Sequence, residues 1–600
     1  MKKIKLGLIV PKIKLANTKY NAEAIKKEII EANENGVKIL TTYELALTGF
    51  SCGDLFKHDF LLENAEKALG EILEATKGID SVVVIGMPAR VDEKIYNGAV
   101  IVENGEIKAF VSKEEFTEAE ETRYFTFETI RNKKIALCGN DDIDFSNEYV
   151  FKKDGVTYAV RVGYKYETEF EDIDVLVNLI ADSAIIGSDD NRLEYAMVES
   201  KNNNAVIVLA NAGSSESTSS VVYSGHSVIA QNGEVLAETD KYNLEGTKLY
   251  YEVDIEDFES NSKIKAKEKI VNLTESPFVP KDEVERIKRC KEIVEIQATA
   301  LARRMIHARS EKAVIGLSGG LDSTLAFLVI VKAFEKLNRD RKNIIAITMP
   351  CFGTTGRTFD NSCKLANEYG VNFRVIDIKE ACSIHLKDIG IEWGDTSITY
   401  ENAQARERMQ VLMDVANKEN GLVIGTGNLS EAALGWCTYN GDHMSMYNVN
   451  ANVPKTLLRY IVEEIAKESN SATLKDILDT PISPELLPPD ENGNIAQKTE
   501  EQVGPYLLHD FFLYHFVRWQ ASPKEILEIA KETFKDRYSE DEIKKWLKVF
   551  LRKFFIAQFK RNCVPDSPKI GSVSLNSKID FRMPSDIDGS LWEAEVEAWE

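Results

Sequence analysis

The sequence predicts an α/β protein of two domains, the second built on a doubly wound parallel sheet. Three observations lead there. The chain has 600 residues, more than one hydrophobic core ordinarily organises. From Lys312 onward, short apolar runs alternate with helix-length segments, the order that a parallel sheet with crossover helices requires. Between the halves, residues 256–282 turn charged and then carry Pro277 and Pro280, which reads as a linker. The expected domains are 1–255 and 283–600.

Residues 1–255 read as strands with a few helices among them. Strands are expected at Lys5–Val10, Lys38–Glu44, Ser81–Met87, Val156–Tyr164, Val175–Leu179 and Ala205–Ala210, where apolar and β-branched residues cluster. Ala24, Ile25, Ile29 and Ile30 repeat at helical spacing within Asn21–Asn33. Asn232-Gly233 between Val228–Ala230 and Val235–Ala237 is a hairpin signal. In the second half a helix over Val284–Arg309 leads into strand Ala313–Leu317, helix Leu321–Leu337, strand Ile344–Met349, a helix, and strand Phe373–Ile378. A long helix, Glu401–Glu419, and a strand, Leu422–Gly425, follow. The last hundred residues read as mostly helical, and aromatic stripes such as Leu507–Trp519 read as core.

Composition narrows the function. Hydrophobic residues make up 44% and charged ones 28%, which describes a globular chain. No apolar run approaches a membrane span, and Met1-Lys2-Lys3-Ile4-Lys5 lacks the apolar region of a signal peptide, so a cytoplasmic protein with no membrane partner is expected. A net charge of −23 argues against nucleic-acid binding, which relies on basic surface. The eight cysteines form no CxxC pair or zinc-like cluster.

The strongest motif is Ser318-Gly319-Gly320-Leu321-Asp322-Ser323, entered directly from Ala313-Val314-Ile315-Gly316-Leu317 and followed by an apolar helix. Paired glycines let backbone N–H groups approach an anion, and the helix N-terminus behind them adds its dipole. Ser318 and Ser323 offer hydroxyl donors. Asp322 suits such a loop if it holds Mg²⁺ against phosphates. The bland alternative is a glycine-rich turn with an Asp/Ser helix cap. The loop lacks the Gly-Lys-Ser/Thr of a Walker motif.

This loop resembles the SGGxDS signature of the PP-loop ATP pyrophosphatases, which split ATP between its α and β phosphates. Five later stretches resemble NAD synthetases among them: Asn402-Ala403-Gln404-Ala405-Arg406-Glu407-Arg408, Gly425–Glu431, Gly435–Asp442, Val453-Pro454-Lys455 and Gln558-Phe559-Lys560-Arg561. The resemblance implies conversion of the deamido-NAD carboxylate to an acyl-adenylate, which ammonia resolves to the amide. It places ATP on Gly316–Ser323, Thr426 and Lys455, and Mg²⁺ on Asp322 and Glu431. It places deamido-NAD on Asn402, Arg406, Glu431, Trp436, Cys437, Thr438, Tyr439 and Lys560. Asn428 stands where some members carry Asp. Paired thiolation cysteines and a GMP-synthetase-type glutaminase are both missing from the sequence.

The N-terminal half resembles the nitrilase-like glutaminase of glutamine-dependent NAD synthetases, an αββα sandwich with a Glu-Lys-Cys triad. Thr41–Phe50 with Cys52-Gly53-Asp54 carries the likeness. Glu44 matches the general base and Lys113 the lysine of that triad. The nucleophile's stretch reads Val160-Arg161-Val162-Gly163-Tyr164-Lys165, with Gly163 at the cysteine position. Ala119, Asp182 and Ser188 replace an expected Tyr, Ser and Arg of the glutamine pocket. Cys138 lies about one strand earlier and reads as a small buried hydrophobe.

Three functional readings follow. One is an ammonia-using NAD synthetase with an inert nitrilase-like domain. Another is a glutamine-dependent enzyme with an unorthodox nucleophile, and a third is a non-catalytic nucleotide-binding regulator. The resemblance also implies a homo-oligomer, at least a dimer through the synthetase domain, with Phe511, Phe512, Tyr514, Phe554 and Phe555 supplying apolar surface shared between core and interface.

Overall fold

The structure, a computed structural model, describes residues 2–165, 170, 172–255, 274–392, 395–481, 486–487, 499–578 and 580–599. Most of the expected linker, residues 256–273, lies outside the described residues. The chain divides into two compact units, Met1–Ser217 with Val222–Lys269, and Thr218–Val221 with Ile270–Glu600.

The first unit is an αββα sandwich. Its eight-stranded sheet runs Gly246–Ile255, Lys2–Pro11, Ile39–Thr41, Val82–Val91, Lys94–Glu103, Glu106–Ser112, Asn140–Ser146, Lys133–Leu137. The six-stranded sheet runs Glu234–Glu238, Val228–Gln231, Val206–Ala210, Val175–Leu179, Val156–Val162, Glu148–Lys153. Alternation drives the layering, because successive strand side chains face opposite ways. Leu6, Leu8, Val84, Ala99 and Val111 of one sheet share a core with Val160, Val162, Val177 and Val208 of the other. On the outside, Ile25 and Ile29 of helix Thr18–Glu34 and Leu69 and Ile72 of helix Asp59–Ala75 pack on Leu40, Val83 and Ile85. Helix Ser188–Asn202 covers the second sheet through Tyr195 and Ala196, against Leu176 and Leu209.

The hairpin signal at Asn232-Gly233 joins two antiparallel strands, both turn residues taking positive φ, 51° and 82°. The strand expected over Lys38–Glu44 is shorter, Ile39–Thr41. Beyond it the backbone crosses Gly86, where a Cβ would lie 2.1 Å from the Tyr43 carbonyl. That crossing carries Glu44 off the sheet, to where its carboxylate meets Asn97 and Lys113.

The second unit holds an all-parallel five-stranded sheet, ordered Asn372–Val375, Ile344–Thr348, Lys312–Gly316, Gly421–Gly425, Tyr447–Asn448. The strand expected over Phe373–Ile378 thus begins one residue earlier and ends at Val375. Helix Leu321–Lys336 is buried over most of its circumference, as its near-continuous apolar sequence requires. Helices Pro523–Thr533 and Glu540–Ile556 start on capping boxes, Ser522 with Glu525 and Ser539 with Glu542. Phe511, Phe512, Phe554 and Phe555 are buried in this unit's own core, at most 4% exposed. Their burial bears out the core half of the expectation and corrects the interface half for these four, while Tyr514 is partly buried against the same core.

Candidate functional site

Two charged clusters stand out, one in each unit. In the synthetase-like unit, the loop Leu317–Gly320 leaves strand Lys312–Gly316 and enters helix Leu321–Lys336. Gly319 has φ +80°, and a Cβ there would lie 2.1 Å from the Thr358 carbonyl, so only glycine fits. The loop is tied together by its own hydroxyls. Gly320 N–H donates to Ser318 Oγ at 3.1 Å, and Ser323 Oγ donates to the Gly320 carbonyl at 3.0 Å.

Around this loop lies a cleft of about 760 Å³, within the size range of small-molecule sites. Gly316, Leu317, Ser318, Gly320, Leu321, Asp322, Ser323, Thr426 and Lys455 line it, as do Asn402, Arg406, Glu431, Trp436, Cys437, Thr438, Tyr439 and Lys560. Of the residues expected to bind ATP or deamido-NAD, Gly319 alone stands back, buried beneath the loop.

Three charges converge on the cleft floor. Lys455 Nζ is paired with Asp322 Oδ2 and lies 3.2 Å from Glu431 Oε1. Asn428 Nδ2 donates to the other Asp322 oxygen at 2.8 Å, while its Oδ1 caps helix Leu429–Leu434 by accepting from Glu431 N–H at 2.9 Å. Asn450 Nδ2 donates to the Asp322 carbonyl at 2.9 Å. Desolvation pushes Glu431 up to about 7, against the lowering pull of Lys455. Burial alone would lower Lys455, but Asp322 and Glu431 outweigh it and hold the ammonium well above its usual value.

Asp322 and Glu431 are hard oxygen donors already gathered about one cation, a donor set that suits Mg²⁺ when phosphate oxygens complete its shell. Among the described residues no group of three or more His, Cys, Asp or Glu forms a ready-made metal cage.

At the other end of the cleft, Lys560 Nζ donates to the carbonyls of Gly435 and Cys437 at 2.7 and 2.6 Å. Thr438 Oγ1 donates to Asn402 Oδ1 at 2.7 Å, and Arg406 Nε to the Tyr439 carbonyl at 3.2 Å. Tyr439 is 43% exposed, its ring stacked on His443 with centroids 5.1 Å apart. The Trp436 ring receives Lys553 Nζ at 5.5 Å from its centroid.

In the sandwich unit, Lys113 Nζ donates to Glu44 Oε1 at 2.8 Å and to Glu121 Oε2 at 2.7 Å, all three side chains nearly inaccessible. Asn97 Nδ2 donates to the same Glu44 oxygen at 2.5 Å. Glu121 Oε1 accepts N–H bonds from Thr117 and Glu118, both at 2.9 Å. Burial pushes Glu44 up to about 7. Burial also works to lower Lys113, yet the two carboxylates hold it above its ordinary value. Gly163 ends strand Val156–Val162 with φ +83°, and a Cβ built there would lie 2.8 Å from Lys113 Cε.

The neighbours flagged in the sequence sit as follows. Asp182 pairs with the fully buried Arg192, which also pairs with Asp189, and Tyr164 Oη donates to Asp182 at 3.3 Å. Ser188 is buried at the start of helix Ser188–Asn202, and Ala119 is exposed. Cys138 Sγ donates to the Glu66 carbonyl at 3.3 Å, with burial pushing its thiol up to about 12. Cys52 Sγ donates to the Thr48 carbonyl at 3.3 Å and is likewise pushed up to about 12 by burial. Among the described residues both thiols hydrogen-bond only to backbone carbonyls.

Sequence reasoning missed Glu121, Asn97, Arg192, Asn450 and Asp510. None lies in a recognisable motif. Only Glu121 carried a local signal, three residues after Glu118 in a capping-box arrangement.

Comparison with known proteins identifies both halves. Residues 5–263 match the family described as carbon–nitrogen hydrolase, and residues 293–549 match NAD synthase. The glutamine-dependent NAD(+) synthetase of Mycobacterium leprae is 32% identical over 96% of this chain and 95% of its own. That of Aquifex aeolicus is 25% identical over 94% of this chain and 96% of its own. The fold is shared with the crystal structure of a glutamine-dependent NAD(+) synthetase from Cytophaga hutchinsonii, with TM-score 0.82 and 21% identity, covering 99% of this chain and 100% of that one. Both halves, in this order and over nearly the whole length, place the chain in the glutamine-dependent NAD(+) synthetase family of ligases.

Proposed function

We propose that this chain amidates deamido-NAD to NAD at the expense of ATP, taking free ammonia because its nitrilase-like unit has lost the glutaminase nucleophile. In the first step the nicotinate carboxylate attacks the α-phosphorus of ATP and pyrophosphate leaves. In the second, ammonia attacks the acyl carbon and AMP leaves. The loop Ser318–Ser323 and Lys455 bind the phosphates, whose charge draws Lys455 from between Asp322 and Glu431. Those two carboxylates would then hold Mg²⁺, which offsets the charge of the pyrophosphate leaving group. Asn402, Arg406, Trp436, Cys437, Thr438, Tyr439 and Lys560 orient deamido-NAD, so that its carboxylate meets the α-phosphate without a search.

The observation that carries the ammonia reading is Gly163 beside Lys113. Glycine offers no atom to form a glutamyl thioester, and a base and a lysine activate a nucleophile without replacing one. Cys52 and Cys138, each bonded to a carbonyl, support no alternative nucleophile. The relatives named as glutamine-dependent favour the opposite outcome, so the test must separate the two. NAD formation is measured from deamido-NAD, ATP and Mg²⁺, with ammonium and glutamine supplied in separate reactions. Turnover with ammonium alone is expected. Equal turnover with glutamine would overturn the loss of the glutaminase, and no turnover with either would overturn the synthetase reading.

A further inference from the structure

Asp510 is a buried carboxylate that the proposed chemistry does not use. It is 1% exposed, on helix Tyr506–Leu513. Its Oδ2 accepts the Thr456 N–H at 3.0 Å and the Thr456 hydroxyl at 2.7 Å. Its Oδ1 accepts the Ser430 hydroxyl, and Ser430 Oγ in turn accepts the Lys455 N–H at 2.8 Å. Ser430 directly precedes Glu431, and Thr456 directly follows Lys455. One carboxylate therefore fastens the first turns of helices Leu429–Leu434 and Lys455–Ser469 together, at the two residues adjoining the charged pair. From the same helix, one turn earlier, the buried Tyr506 ring lies 5.6 Å from Lys455 Nζ.

A tie that served stability alone would not need a charge here. Burial pushes the Asp510 carboxyl up to about 6, so keeping it ionised at neutral pH works against folding, and well-packed uncharged groups do that job better. What the carboxylate adds is direction. It accepts three donors from two helix starts at once, fixing where each backbone begins and hence where the next side chain emerges.

We propose that Asp510 is a positioning residue for the adenylation step, setting the spacing between Glu431 and Lys455 at the phosphate site. The inference rests on the ATP-dependent reaction proposed above. Replacing the carboxylate by an amide keeps the shape but turns an N–H₂ group toward Ser430 or Thr456, which need an acceptor there.

The test compares full-length wild type with Asp510→Asn, measuring AMP release from ATP with deamido-NAD, Mg²⁺ and ammonium. The expected result is a kcat lowered roughly 10²-fold, the loss that a small misplacement of reacting groups produces. The KM for deamido-NAD should change much less than kcat, since of that site's residues only Glu431 adjoins the tie. Circular dichroism should show the variant folded. Thr456→Val should also lower kcat, and its effect should largely vanish in the Asp510→Asn background. An active wild type with an equally active, folded variant would overturn this inference alone. If Asp510→Asn fails to fold, Thr456→Val decides, an unchanged kcat counting against the proposal. A wild type that releases no AMP would overturn the reaction itself.

Discussion

Lys113 fills the space into which a side chain at Gly163 would grow, its Cε lying 2.8 Å from an ideal Cβ there. The residue also has φ +83°, a conformation that costs a non-glycine residue roughly 1–2 kcal/mol. Gly163→Cys is therefore expected to destabilise the sandwich unit by about that amount and to release no glutamate from glutamine. The thiol would meet a lysine already bonded to two carboxylates. Glutamate release by the variant and the wild type, with a denaturant melt of each, checks both halves. Robust release by Gly163→Cys would mean that the pocket survives and only the thiol is missing.

The metal assignment makes a separate prediction. Asp322→Ala and Glu431→Ala should each lower AMP formation by roughly 10²-fold or more, the usual loss when a charge-stabilising group is removed, while both proteins stay folded. Raised Mg²⁺ should restore part of the activity, because one carboxylate and the phosphates still offer oxygen ligands. Full activity in either variant would remove the metal site.

The buried triad in the sandwich unit should be costly to break singly. Lys113→Met leaves Glu44 and Glu121 facing each other without a cation, and such breakage costs about 3–5 kcal/mol. The triple variant Lys113→Met, Glu44→Gln, Glu121→Gln should lose less than the single one. Unfolding free energies of the two proteins decide it, and a single variant as stable as the wild type would show the ion pairs to be incidental.

Stability should also respond to Asp510. Its carboxyl is pushed up to about 6 by burial, above its ordinary 3.8, so the folded chain binds this proton more tightly than the unfolded one. The stabilisation is fully present below the ordinary value and is lost as pH rises through about 6. The shift corresponds to at most about 3 kcal/mol. Asp510→Asn should flatten this part of the pH–stability curve between about pH 4 and 6. An unchanged curve would show that Asp510 titrates normally.

Much of the fold could be read in advance because its signals are local. A turn dipeptide, an apolar run entering a glycine loop and a helix with an uninterrupted core face each announce themselves within a dozen residues. Strands Lys133–Leu137, Asn140–Ser146 and Glu148–Lys153 did not. Asn140-Asp141-Asp142-Ile143-Asp144 is acidic and poor in strand formers, and only pairing with its neighbours makes it a strand. The site divides the same way. Asp322, Glu431 and Lys455 lie in motifs, and the fold brings their side chains together. Glu121 and Asp510 carry no motif, since their partners are set by how helices and loops pack in space.

A dimer through the synthetase unit remains an expectation from the resemblance, without the buried aromatic residues as its surface. Light scattering at micromolar concentration is expected to show at least a dimer, and a stable monomer would reject it.

The Lys113 cluster also bears on how such a chain changes over generations. If the thiol is lost as proposed, selection for glutamine hydrolysis would end, yet Lys113 would not be released to drift while both Glu44 and Glu121 remain. Loss of Lys113 would strand two carboxylates as uncompensated charges in a dry interior, and the folded population would fall. Removing the lysine harmlessly would require neutralising both carboxylates with it. On that reading electrostatics would act as a ratchet that preserves the appearance of a catalytic site, and an intact Glu and Lys would be poor witnesses to a working glutaminase.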